Sequence, residues 1–155
     1  MSRICQADVE RVRALVTAGL QPVGDEVEVS QSLIDRFAAT TNDFNPMHHA
    51  EESLSGPFRR PVAHGFFSVA NVPHLAHRLN PFQLLPNAWC LLKRAEMDFH
   101  YPVPVGKKIH CLGRIADIDL LDNPANVASV RFEWQVNVGS KKSTTGVFIL
   151  YYFFS

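Results

Sequence analysis

The chain has 155 residues, with 46% hydrophobic and 19% charged residues, enough apolar material for one folded domain and too much for a disordered chain. Lysine and arginine balance aspartate and glutamate at 15 each, so no overall charge draws the molecule to nucleic acid or to an anionic membrane. Three cysteines, Cys5, Cys90 and Cys111, are widely spaced without a CxxC pair, which argues for reduced structural thiols rather than a zinc site or redox dithiol.

Val9, Val12 and Val16 recur at helical spacing and predict a short amphipathic helix from Ala7 to Ala18, with Gly19 as its stop. Asp25 to Val29 alternates as a brief strand. Ser30 then caps a helix whose apolar face is Leu33, Ile34, Phe37 and Ala38. After the loop Thr41 to His48, Pro46 suits the first position of a short helix running through Ser53. Gly65 to Leu79 is almost wholly apolar and reads as one long buried helix, kinked or locally broken at Pro73, with Asn80-Pro81 as its end.

The second half is rich in strands. Leu91 to Tyr101 alternates, with Leu91, Ala95, Met97, Phe99 and Tyr101 expected on a buried face and Arg94, Glu96, Asp98 and His100 on a wet one. Lys107 to Leu120 changes phase along its length, which a bulge near Ala116 explains. Val127 to Val138 alternates cleanly and turns at Gly139-Ser140 into Thr144 to Phe154, apolar on both faces and therefore expected at a sheet centre or an interface. The predicted fold is α+β: a single domain with an antiparallel sheet wrapped around a long helix, and residues 1–22 as a helical extension.

Chemistry concentrates in two segments. In Thr41-Asn42-Asp43-Phe44-Asn45-Pro46-Met47-His48 the proline drives the chain out of helix, so Asp43 and His48 can converge although their spacing is not helical. A helix start beside His48 disfavours its second proton, while a nearby carboxylate favours it. A carboxylate and a neutral imidazole holding one water form a general acid/base pair. In Arg60-Pro61-Val62-Ala63-His64-Gly65 the chain enters the predicted helix, where the N–H of Gly65 is positioned to stabilise an oxyanion and the missing Cβ admits a ligand carbonyl. Asn45 is expected to order the turn rather than touch a substrate, and His64 to fix it. Arg59 and Arg60 could reach a phosphate but read more simply as solvated charges. His48, His49, His64, His74 and His77 show no metal-binding spacing, so no metal is expected.

Asp43-Phe44-Asn45-Pro46-Met47-His48, followed by Phe58-Arg59-Arg60-Pro61-Val62-Ala63-His64-Gly65 and Tyr101-Pro102-Val103-Pro104-Val105-Gly106, resembles the signature of the MaoC-like (R)-specific enoyl-CoA hydratases and dehydratases. The stretch Gly56 to Arg78 also resembles the nodulation-N-like branch. The sequence departs from the pattern at Asn42, where the family has Gly, and at Phe66-Phe67, where Met-Leu is common. The resemblance implies a hot-dog fold and reversible hydration of trans-2-enoyl thioesters to (R)-3-hydroxyacyl thioesters. Asp43 and His48 would be catalytic, and Gly65 would donate to the thioester carbonyl. It further implies an acyl-CoA or acyl-carrier-protein thioester as partner, no cofactor, a homodimer, and neither nucleic acid nor membrane. A cytoplasmic location is expected from the absence of a signal sequence and of a long apolar run. The competing functions are a hot-dog thioesterase and a noncatalytic acyl-thioester binder.

Overall fold

The computed structural model describes residues 6–85, 87–121 and 126–154. Cys5 and part of the predicted extension lie outside them. The first helix, α1 (Gln6–Arg13), is shorter than the predicted Ala7 to Ala18: Val9 and Val12 are buried, while Val16 has left the helix and makes an isolated bridge to Ile115. Short strands β1 (Gln21–Pro22) and β2 (Val27–Glu28) follow. Helix α2 (Gln31–Thr41) starts as expected, with the Ser30 hydroxyl accepting from Leu33 N–H and Ile34 and Ala38 facing the core.

The predicted Pro46 to Ser53 helix is instead two 3₁₀ turns, Pro46–His48 and Glu52–Ser55. The predicted long helix is also divided, into α3 (Gly65–Ala70) and α4 (Val72–Leu75). Pro73 offers no N–H to the Val69 carbonyl and its ring crowds that oxygen, so the first helix stops and the proline serves the opening turn of the second. The Asn71 side chain supplements the break by donating to Phe67 O at 2.8 Å. This segment is not buried on most sides either: Phe67, Ser68, Val72 and Leu75 point inward, whereas Phe66 is 63% exposed.

Four long strands complete the chain: β3 (Ala88–Phe99), β4 (Lys108–Leu121), β5 (Val127–Val138) and β6 (Lys141–Phe154). All pairings are antiparallel, in the order β1-β4-β5-β6-β3, with β2 also on β4. The doubly apolar β6 lies inside the sheet, as its composition requires, and the β4 register shifts between Ile115 and Asp117, where the phase change called for a bulge. Alternation in β5 buries Val130, Phe132, Trp134 and Val136 against the helices and loops, each fully buried large side chain being worth roughly 1.5–3 kcal/mol.

Strand β3 departs from its expected pattern. It is an edge strand, and Leu91, Ala95 and Phe99 are exposed, as is Trp89 at 76%; of the predicted inward residues in β3 only Met97 is half-buried. A register shift between Leu92 and Arg94 breaks its alternation. No helix among the described residues is long and apolar enough to cross a membrane.

Candidate active site

Local chain direction, not sequence spacing, brings the predicted residues together. Asn42 ends α2 in the left-handed conformation at φ 56°, a geometry asparagine tolerates better than most residues, so the turn survives without glycine. Asp43 follows, and one of its carboxylate oxygens accepts from Asn45 N–H at 3.3 Å. Asn45 in turn caps the first 3₁₀ turn by accepting from Met47 N–H at 3.2 Å, the ordering role expected of it. This turn carries His48 inward.

His48 is buried, and its Nδ1 lies 2.7 Å from the carbonyl of Val62. A carbonyl only accepts, so Nδ1 carries the proton and Nε2 is left as the basic nitrogen. Burial lowers the His48 pKa, and the nearby His64 adds to the depression; the Val62 hydrogen bond and Asp43 oppose it. The neutrality expected from a helix start therefore has a different cause, because the flanking turn has only three residues and burial is the largest contribution.

His64 is 3% exposed and stacks on His48 with ring centroids 3.6 Å apart. Its Nε2 donates to the Asp43 backbone carbonyl at 3.0 Å and lies 3.9 Å from the Asp43 carboxylate, which makes it the strut that fixes the Asp43 turn. Its Nδ1 is buried without a hydrogen-bond partner among the described residues. One ligand atom each from Asp43, His48 and His64 lie within 4.8 Å of one another, a spacing that a metal ion or one bridging water can fill.

A cavity of about 370 Å³ opens beside these groups. His48, His64 and Gly65 form one wall; Asp43 is not part of it, and its half-exposed carboxylate stands at the margin. Gly65 N–H has no hydrogen-bond acceptor among the described residues, but α3 is only six residues long, so what it offers is a local donor rather than the dipole of a long helix. The space a Cβ would fill at Gly65 is occupied by the Phe99 ring, 2.9 Å from the ideal position, so glycine here first serves close packing.

The rest of the lining was not legible in the sequence. Phe99 ends β3, His100 and Tyr101 follow it, Ser143 and Thr144 lie near the start of β6, and Ser68 is on α3. Ser143 and Thr144, polar residues just before the apolar run of β6 and buried in the fold, were the available signal. Gln31 was also missed: its side-chain amide donates to the His48 carbonyl and to Asp35, each at 2.8 Å, anchoring the turn that bears His48 to α2.

Comparison with known proteins bears on the family and the fold. The family model described as MaoC like domain matches residues 16–133. Over 146 residues the chain is 29% identical to 3-hydroxyacyl-thioester dehydratase Z of Mycobacterium tuberculosis, covering 92% of this chain and 96% of that protein. The fold also matches the (R)-hydratase from A. caviae involved in PHA biosynthesis (TM-score 0.65, 20% identity, 86% of this chain and 98% of that one). R-hydratase PhaJ1 from Pseudomonas aeruginosa, in the unliganded form, matches with TM-score 0.67 and 18% identity over 90% of this chain and 84% of that one. These likenesses show the hot-dog fold.

Proposed function

The chain belongs to the MaoC-like domain family, and from that premise we propose that it is a hydro-lyase interconverting trans-2-enoyl thioesters and (R)-3-hydroxyacyl thioesters. The observation carrying this reading is the His48 imidazole, its pKa lowered by burial, pinned through Nδ1 to Val62 and with a ring nitrogen within 4.8 Å of an Asp43 carboxylate oxygen.

In the hydration direction Asp43 orients a water and His48 Nε2 takes its proton as the oxygen bonds to C3. The C2=C3 electron pair moves toward the thioester oxygen, and the Gly65 N–H stabilises the enolate. The imidazolium then returns the proton to C2 as the carbonyl re-forms. Water supplies both added groups, so the reaction balances without a cofactor. Asn45 and His64 hold the geometry and stand outside the bond changes.

The substrate is an acyl-CoA or acyl-carrier-protein thioester, the protein works in the cytoplasm, and neither nucleic acid nor membrane is a partner. Two copies pair through β3. That strand presents an unpaired backbone edge flanked by exposed Trp89, Leu91 and Leu92, the combination that a second copy covers and that a lone soluble chain avoids.

Crotonyl-CoA tests the activity. Loss of enoyl absorbance without thiol release is the expected result, and it falls by at least about 10²-fold in rate in Asp43→Asn and His48→Ala. Thiol release would make the protein a thioesterase, and binding without either change a noncatalytic carrier. Wild-type rates in both variants would overturn the site.

A further inference from the structure

A second cavity, of about 420 Å³, adjoins the first, and Tyr101 lines both. Arg60, Lys107, Lys108 and Lys141 surround it, with Glu26 as its single carboxylate. Four cations against one anion leave a formal +3 in one hollow of a chain whose formal net charge is zero.

Little of this charge is paired among the described residues. Glu26 lies 3.8 Å from Lys108, a distance at the limit of pairing. Lys141 sits over the Tyr101 ring at 4.3 Å, on the wall shared by the two cavities. Arg60 and Lys107 make no ion pair among the described residues. Like charges gathered in a concave surface repel one another and raise the local concentration of anions.

The backbone that carries these cations also builds the neighbouring cleft. Val62 bridges to Pro104, Val105 N–H donates to Pro61 O at 3.0 Å, and Ala63 N–H donates to Val103 O at 2.8 Å. Arg60 and Lys107 therefore flank a pair of segments whose other ends carry His64, Gly65 and Tyr101. Gly106, at φ +82°, turns the chain so that its N–H reaches Val29 O at 2.7 Å and the two lysines follow.

We propose that the basic cavity is an anion subsite for the phosphate-bearing end of the substrate's pantetheine carrier, which passes Tyr101 while its thioester lies between His48 and Gly65. The proposal rests on the thioester reading above. It fits that chemistry because phosphate esters are the anionic groups of both possible carriers, and because a guanidinium with surrounding ammonium groups suits phosphate oxygens.

Steady-state hydration of crotonyl-CoA, crotonyl-4′-phosphopantetheine and crotonylpantetheine, which has no phosphate, tests it. One or both phosphate-bearing substrates should show a KM at least about tenfold below that of crotonylpantetheine. Lys107→Glu and Lys141→Glu should each shrink that ratio by about tenfold, with unchanged circular dichroism. A gain already present with phosphopantetheine assigns the single phosphate common to both carriers, and a gain confined to crotonyl-CoA assigns the nucleotide end. Equal KM for all three substrates, or a ratio unmoved by charge reversal, overturns the subsite while leaving the hydratase reading intact. If no thioester is hydrated, the hydratase reading fails and calorimetry with coenzyme A decides the subsite: binding weakened by both reversals supports it, and absent or insensitive binding overturns it.

Discussion

His48 and His64 stack with their ring centroids 3.6 Å apart and an interplanar angle of 26°, each tied to a different backbone carbonyl. At this separation in a poorly solvated site, His64 opposes a positive charge on His48 and so lowers its pKa. His64 thus acts on His48 electrostatically and through the water it excludes.

Replacing His64 with Ala removes both influences, and the His48 pKa should rise toward its ordinary value. Activity that depends on neutral His48 would then begin to fail at a higher pH, moving the acid limb of kcat/KM upward. The check is that profile together with the His48 ring proton shift followed by NMR. An unmoved limb in a folded variant would show that His64 serves only the Asp43 turn.

His48 also links stability to pH. Its pKa is lowered in the folded protein, so the unfolded chain binds the extra proton first as pH falls below about 6.5. The stability associated with this group is present above that value and lost as pH drops through the folded pKa. Urea midpoints at pH 7.5 and pH 5 should therefore differ less in His48→Gln than in the wild type.

The parts of this arrangement visible in sequence are those set by local rules. Ser30 caps α2, Asn42 takes the left-handed turn, and Asn45-Pro46 redirects the chain, each through interactions within a few residues. Period-two alternation likewise located β5, because both its neighbours are strands and only one face reaches the core. The same alternation misled at β3, where Leu91 is exposed at a sheet edge and Phe99, half-exposed, lines the cavity instead of the core. The lining made by Phe99, His100 and Thr144 depends on β3 pairing with β6, a long-range relation that spacing does not encode.

Glycine substitutions separate packing from chemistry. At Gly146 an added Cβ would lie 2.5 Å from the Glu96 carbonyl and collide with the buried Trp134 ring, neither of which can swing away. Gly146→Ala should cost about 2–3 kcal/mol in chemical denaturation. At Gly65 the obstacle is the half-exposed Phe99 ring, which can rotate, so Gly65→Ala should cost less than about 1 kcal/mol while lowering kcat. Adding Phe99→Ala should recover the stability loss in a double-mutant cycle; additive losses would show that the two residues do not compete for this space.

Gln31 offers a test of positioning without contact with the reacting atoms. Its amide holds the His48 carbonyl at 2.8 Å, and its Oε1 is buried without a partner among the described residues. Gln31→Leu removes that donor and the unsatisfied oxygen together, so the stability change should stay within about 1 kcal/mol. The turn bearing His48 would gain freedom, lowering kcat with little change in KM. Gln31→Glu should be more damaging, because a carboxylate facing the same carbonyl repels it where the amide attracted it. Equal kcat in wild type and both variants would assign the anchoring of His48 to the Val62 hydrogen bond alone.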